Sequence, residues 1–139
     1  MLSANMFAFL ALIVWGGWGL FSKFATLRMP PIHASVYEVA GAMLVALSIV
    51  IYLLVSHVKL NTDPQGIFYA MLTGVCMSLG GVLFLIALSR GNAYIVTVVT
   101  SLYPIVTLLL LYIFFREAIT LKQGLGMILA LAGVLLLVI

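Results

Sequence analysis

Most charged side chains of this protein fall in or beside short polar breaks, and between the breaks run five apolar stretches of about twenty residues each. A helix rises about 1.5 Å per residue, so a stretch of that length crosses the roughly 30 Å of hydrocarbon in a bilayer. Of the 139 residues, 66% are hydrophobic and 6% charged. A small soluble domain buries only about 60–70% of the surface that its unfolded chain exposes, so water is excluded as the solvent of such a chain. The expected fold class is an all-α integral membrane protein with five transmembrane helices, a single domain over residues 1–139 surrounded by membrane lipid.

The breaks set the expected helices at about residues 5–24, 32–56, 64–89, 92–115 and 121–139. Met29-Pro30-Pro31 closes the first hairpin, because proline suits a first helical turn and not an interior. In the second loop Thr62 or Asp63 is the expected N-cap, with Pro64 in the turn that follows. Gly91 is placed to take a left-handed C-cap and Asn92 to start the fourth helix. Thr120 and Gln123 have capping-box spacing for the fifth.

The net charge of +3 reflects scarce acids rather than a basic patch, so no nucleic-acid partner is expected. Cys76 is the only cysteine, which excludes an intrachain disulfide and a cysteine-cluster metal site, and it reads as a small apolar filler. No metal or cofactor is expected, and no glycine precedes a Lys-Ser/Thr pair as in a phosphate-binding loop. The first residues lack the basic region of a cleavable signal, so the first apolar segment is expected to be a permanent helix. The expected location is the plasma (inner) membrane.

Five crossings divide the basic residues of the loops evenly. Lys59, Arg116 and Lys122 fall on one face and Lys23, Arg28 and Arg90 on the other, leaving aside the N-terminal amine. An even division favours neither orientation, which makes insertion both ways an open alternative to a single orientation set by unequal weights. An odd-numbered half inserted both ways would build, as an antiparallel homodimer, the inverted repeat found within many single-chain transporters.

Glu38 is the most informative residue, an acid about 9 Å into the second helix. Acids inside membrane helices face the bundle interior or a water cavity and mark substrate or ion paths. Ala34, Ser35, Gly41, Ala42 and Ala46, at helical spacing around it, suit an inward face. An apolar surround disfavours the ionised form, which would let Glu38 exchange a proton for a cationic or polar substrate. The alternative is a structural pair with Lys23 or Arg28, kept at the same membrane end by the short hairpin.

Trp15, Trp18 and Ser22 share a face of the first helix, and an aromatic wall suits a flat or cationic small-molecule substrate. An interfacial belt is the competing reading for Trp18. Gly16, Gly17 and Gly19 beside them permit close packing or a bend. On the fourth helix Thr97, Thr100, Ser101, Pro104 and Thr107 form a polar stripe. Pro104 cannot donate to the Thr100 carbonyl, so a kink is expected there. The hydroxyls either meet substrate or bond to backbone and neighbouring helices. Tyr37, Tyr94 and Tyr103 are weaker candidates for the cavity. Ala70, Gly74 and Ser78 on the third helix, and Gly126, Ala130 and Gly133 on the fifth, read as packing seams.

The segments Ala87-Leu-Ser-Arg-Gly-Asn-Ala93, Ser101-Leu-Tyr-Pro104, Arg116-Glu-Ala-Ile-Thr120 and Gln123-Gly124, with the Gly133 tail, resemble the second half of an EamA domain. Trp15-Gly-Gly-Trp-Gly19 and Lys23 resemble its first helix. EamA domains belong to the drug/metabolite transporter superfamily, and the resemblance covers essentially the whole chain. Members commonly carry two five-helix halves in inverted orientation and move metabolites such as amino acids, with some exporting drugs. The resemblance therefore implies a half that pairs with itself or with another half. The related small multidrug resistance proteins are similar in using dual-topology dimers with a membrane glutamate, but theirs lies on the first helix, so its role does not transfer by position to Glu38. Glu117 resembles a structural glutamate of the family, expected to pair with Arg116 or Lys122.

The expected function is thus a dimeric secondary transporter of small metabolites or drugs, not an enzyme, working by alternating access. Its cavity would be lined by the first four helices. A lipid or lipid-linked carrier flippase and a non-transporting membrane subunit are the alternatives, and the polar interior argues against the latter.

Overall fold

The computed structural model describes residues 3–116 and 118–138. Glu117 and Ile139, and with them the expected pairing of Glu117 and the last residue of the fifth helix, lie outside the described residues. The protein is an all-α membrane protein, and its described residues form six helical segments: α1 (Ala4–Arg28), α2 (Pro31–Val55), α3 (Pro64–Arg90), α4 (Ala93–Thr100), α5 (Tyr103–Phe115) and α6 (Leu121–Val138). The stretches Ala4–Arg28, Pro31–Val55, Pro64–Arg90 and Ala93–Phe115 are each long and apolar enough to cross a membrane, and a shorter apolar helix follows at Leu121–Leu137.

Local chemistry accounts for the helix ends. Met29 is extended, at φ −150° and ψ 160°, because the ring of Pro30 disfavours helical geometry in the residue before it. α1 therefore runs on to Arg28, a turn beyond the expected Phe24, and α2 starts on Pro31, whose missing N–H costs nothing in a first turn. Asp63 opens α3: its Oδ2 accepts from the Gly66 N–H at 2.6 Å. Asn92 opens α4, its Oδ1 accepting from the Tyr94 N–H at 2.9 Å. Thr120 and Gln123 form a reciprocal box: the Thr120 N–H donates to Gln123 Oε1 at 2.8 Å, and the Gln123 N–H to Thr120 Oγ1 at 3.3 Å.

Two ends differ from expectation. No glycine has positive φ, so Gly91 does not provide a left-handed cap after α3. Among the described residues the left-handed ones are His57 and Arg116, at φ 53° and 54°. His57 terminates α2 in a Schellman arrangement, in which the Val58 N–H donates to the Leu53 carbonyl at 3.2 Å and the His57 N–H to Leu54 at 3.4 Å. A side chain at left-handed φ crowds its own backbone, and glycine removes that cost. His57→Gly is expected to raise stability by about 0.5–1 kcal/mol, read as a higher unfolding temperature of the detergent-solubilised protein. An unchanged or lower temperature would show the imidazole contributing something beyond the turn.

The expected single helix over 92–115 is two. α4 ends at Thr100, Ser101 and Leu102 form a turn, and α5 begins at Tyr103 with Pro104 in its first turn. Pro104 has no N–H for the Thr100 carbonyl, and its ring clashes with that carbonyl in a continuous helix. The chain tightens through bonds from the Leu102 N–H to the Val99 carbonyl at 3.2 Å and from the Ile105 N–H to the Leu102 carbonyl at 2.9 Å.

The described chain forms two compact units, residues 1–90 and 91–139. In the first, burial is confined to one end of the three helices: Ser22 near the end of α1, Ala34 near the start of α2, and Gly81, Phe84, Leu85 and Leu88 near the end of α3. Gly81, Phe84, Leu85 and Leu88 recur at helical spacing on one face, and Gly74 and Ser78 continue that face toward the other end of α3. There the face is open, since a side chain at Gly74, or at Gly41 on α2, would meet nothing within 4 Å. In the second unit α4 and α5 hold no buried residue, and a side chain at Gly126 or Gly133 of α6 would likewise meet nothing within 4 Å. Cys76, expected as a packed filler, is exposed on α3, because its stretch of the helix lies beyond the packed end.

Candidate functional site

Where α1, α2 and α3 pack together, they form a shallow open cleft of about 210 Å³ lined by Trp18, Phe21, Ser22 and Ala25 of α1, Ala34, Tyr37 and Glu38 of α2, and Leu85 of α3, with Met29 at the hairpin. Four residues singled out from the sequence, Trp18, Ser22, Tyr37 and Glu38, therefore meet in one place. The short hairpin explains why. It brings the last turns of α1 against the first turns of α2, so residues 20 apart in the chain become neighbours.

The centre of the site is a hydrogen bond from Trp18 Nε1 to Glu38 Oε1 at 2.7 Å. It lies at the short end of the N–H···O range. Phe84 holds the indole from the other side, its ring stacked on that of Trp18 at 4.7 Å between centroids and 24° between planes. Gly81 lets the backbone of α3 approach the carboxylate: a Cβ there would lie 3.2 Å from Glu38 Oε1 and 3.6 Å from Oε2. Glu38 is half-buried, with the indole as its hydrogen-bond donor and a glycine face beside it.

The alternative of a pair between Glu38 and Lys23 does not describe this geometry. Lys23 Nζ instead donates to the Leu88 carbonyl at 3.0 Å. That carbonyl belongs to the last turn of α3, which lacks helical donors and carries the negative end of the helix dipole, so a lysine from α1 caps α3. Arg28 is exposed at the end of α1.

Trp15 is not among the residues lining the cleft. Thr97, Ser101 and Pro104 belong to the second unit. There Ser101 Oγ donates to the Val98 carbonyl at 2.7 Å, Thr100 Oγ1 to Val96 at 2.9 Å, and Thr107 Oγ1 to Tyr103 at 3.2 Å. These three hydroxyls bond to the backbone of their own segment, the usual outcome for Ser and Thr in apolar helices. Among the described residues no three of His, Cys, Asp and Glu come together as a metal site.

Sequence reasoning missed Gly81, Phe84 and Leu85. Their spacing from Leu88 was the available signal, but nearly every residue of α3 is apolar, and apolar periodicity carries little information in a helix surrounded by lipid.

The sequence profile of the EamA-like transporter family matches residues 2–139. An uncharacterized protein of Methanocaldococcus jannaschii is 29% identical over 135 residues, which span 97% of this chain and 96% of that protein. No solved structure matches the chain.

Proposed function

Because the chain belongs to the EamA-like transporter family, we propose that it is one half of a secondary transporter that moves small metabolites or drugs across the plasma (inner) membrane. The cleft around Glu38 carries this reading. It is a mostly apolar cleft on membrane helices, walled by aromatic rings, with the Glu38 carboxylate at its centre, and Glu38 is the only acid within any of the described helices. An acid in that setting marks a substrate or ion path. Glu38 serves as the coupling residue, exchanging a proton for substrate as the cleft opens to alternate sides. Trp18, Ser22 and Tyr37, which line the same cleft, contact the substrate.

The working unit is a homodimer, with the two copies inserted antiparallel. The even division of basic loop residues supports it. So do the faces left open in each unit, where the small residues Gly74, Ser78, Gly126, Ala130 and Gly133 permit close approach of a second copy. C-terminal reporters that are active only inside or only outside the membrane test the assembly. Activity of both reporters, in comparable amounts, is the expected result. Activity of one alone would overturn the antiparallel dimer in favour of a parallel assembly or a second, different half.

A further inference from the structure

We propose that Lys23 is a positioning residue for the Glu38 cleft: its ammonium, bonded to the last turn of α3, sets the register in which α3 meets Trp18 and Glu38. The proposal rests on the reading of Glu38 as the coupling residue and adds the group that fixes the surroundings of that acid.

Two links join α1 to α3. The ring of Phe84 stacks on Trp18 at 4.7 Å between centroids, and Lys23 Nζ donates to the Leu88 carbonyl at 3.0 Å. In these two links the residue further along α1 meets the residue further along α3, so the two helices run side by side in the same direction. At about 1.5 Å per residue the links lie roughly 6–7.5 Å apart, little more than one helical turn. Gly81, whose face is turned to Glu38, shares one stripe of α3 with Phe84, Leu85 and Leu88. Glu38 is thus met at one end of that stripe and Lys23 at the other.

The apolar contacts in between do little to fix a register. Lipid tails are as apolar as leucine, so membrane helices gain no hydrophobic drive from packing on each other and depend on close fit and hydrogen bonds. A bond from an ammonium to a carbonyl is directional, and a slide or rotation of α3 breaks it. The bond has a cause on each side. α3 ends at Arg90, so the Leu88 carbonyl belongs to a turn without helical donors, and Leu88 is buried. A buried carbonyl left without a donor is costly. Lys23 lies about 7.5 Å before the end of α1. A lysine so placed ordinarily extends its stem toward the membrane surface, whereas Lys23 is half-buried and turns to α3.

5-Fluorotryptophan reports on the role of Lys23. In the fluorine NMR spectrum of the labelled full-length protein in lipid nanodiscs, the Trp18 resonance is the one missing from Trp18→Phe. Lys23→Met keeps the apolar stem and removes the donor, and it is expected to shift that resonance. Lys23→Arg, which can still donate, is expected to give the wild-type position, as is Arg28→Met, which removes a cation from the same end of α1. Should Lys23→Met fail to fold, Lys23→Gln, polar but too short for the bond, is expected to give the same shift. Gly81→Val disturbs the same stripe, so adding Lys23→Met to it is expected to move the resonance by less than the two single shifts combined. Flux should follow the resonance, low in Lys23→Met and restored in Lys23→Arg. A wild-type resonance or wild-type flux in Lys23→Met, a shift that Lys23→Arg does not correct, an equal shift in Arg28→Met, or shifts that add would each overturn the proposal. Absence of flux from the wild-type protein would instead count against the transporter reading, and the spectra, which need neither substrate nor gradient, would still decide what Lys23 does.

Discussion

Glu38→Gln is expected to remove most gradient-driven transport, the largest effect expected of any single substitution in this protein. Glutamine has nearly the shape of glutamate, and its side-chain carbonyl oxygen can still accept from Trp18 Nε1, the bond that measures 2.7 Å in the wild type. The helices therefore have no reason to separate. What is lost is the ability to carry charge in one state and a proton in the other. Losing a contact to a charged group costs about 2 kcal/mol, so flux is expected to fall about thirtyfold. The measurement is discharge of an imposed pH gradient by vesicles holding the purified protein and a pH-sensitive dye, with organic amines added outside. Wild-type flux should vary with pH and the residual flux of the variant should not. The only other titratable side chain lining the cleft is Tyr37 on α2; α1 directs Lys23 to Leu88, and α3 contributes Leu85 to the lining, with Gly81 alongside the carboxylate. Discharge by Glu38→Gln at the wild-type rate would remove Glu38 from the coupling mechanism.

Gly81→Val should come close to the same loss of transport by a different route, while Gly80→Val one residue away should be tolerated. Both substitutions place a β-branched residue in α3, so their intrinsic effects on helix propensity are similar. The difference lies in what the new atoms meet. At Gly80 there is nothing within 4 Å, whereas a Cβ at Gly81 already lies 3.2 Å from Glu38 Oε1, and the methyl groups of valine extend further. The carboxylate must leave its place beside Trp18, or α3 must move away from α1 and α2. Either outcome should change the environment of the Trp18 indole, read as a shift in tryptophan emission that Gly80→Val does not show. Near-wild-type flux with unshifted emission for Gly81→Val would show that the close approach of α3 has no part in the mechanism.

The features that could be read from the chain are those whose chemistry is local. Asn92 and the Thr120 and Gln123 box act on backbone groups two or three residues away, and their roles follow from residue type and spacing. Glu38 stood out for a similar reason, because a lone carboxylate in an apolar helix is conspicuous whatever surrounds it. Its partner was not readable. Lys23 has the charge to attract it, but the carbonyls ending α3 compete for that lysine, and the competition exists only once α3 lies beside α1. The donor that does meet Glu38 is an indole whose position depends on Phe84, 66 residues further along the chain than Trp18. The interruption after Thr100 was readable in cause and not in extent. Pro104 announced a lost hydrogen bond, yet the turn it forces occupies Ser101 and Leu102, before the proline itself.

That interruption separates two things the cell reads at different times. At about 1.5 Å per residue the 8 residues of α4 reach about 12 Å and the 13 of α5 about 20 Å, so neither bridges a bilayer alone. Taken together, Ala93–Phe115 is a continuous apolar run of 23 residues. Insertion machinery weighs composition over roughly that length, so the segment is expected to enter as one unit despite its turn mid-run. Partition into the membrane is thus decided by what the residues are, and the interruption by the hydrogen bond that Pro104 cannot make.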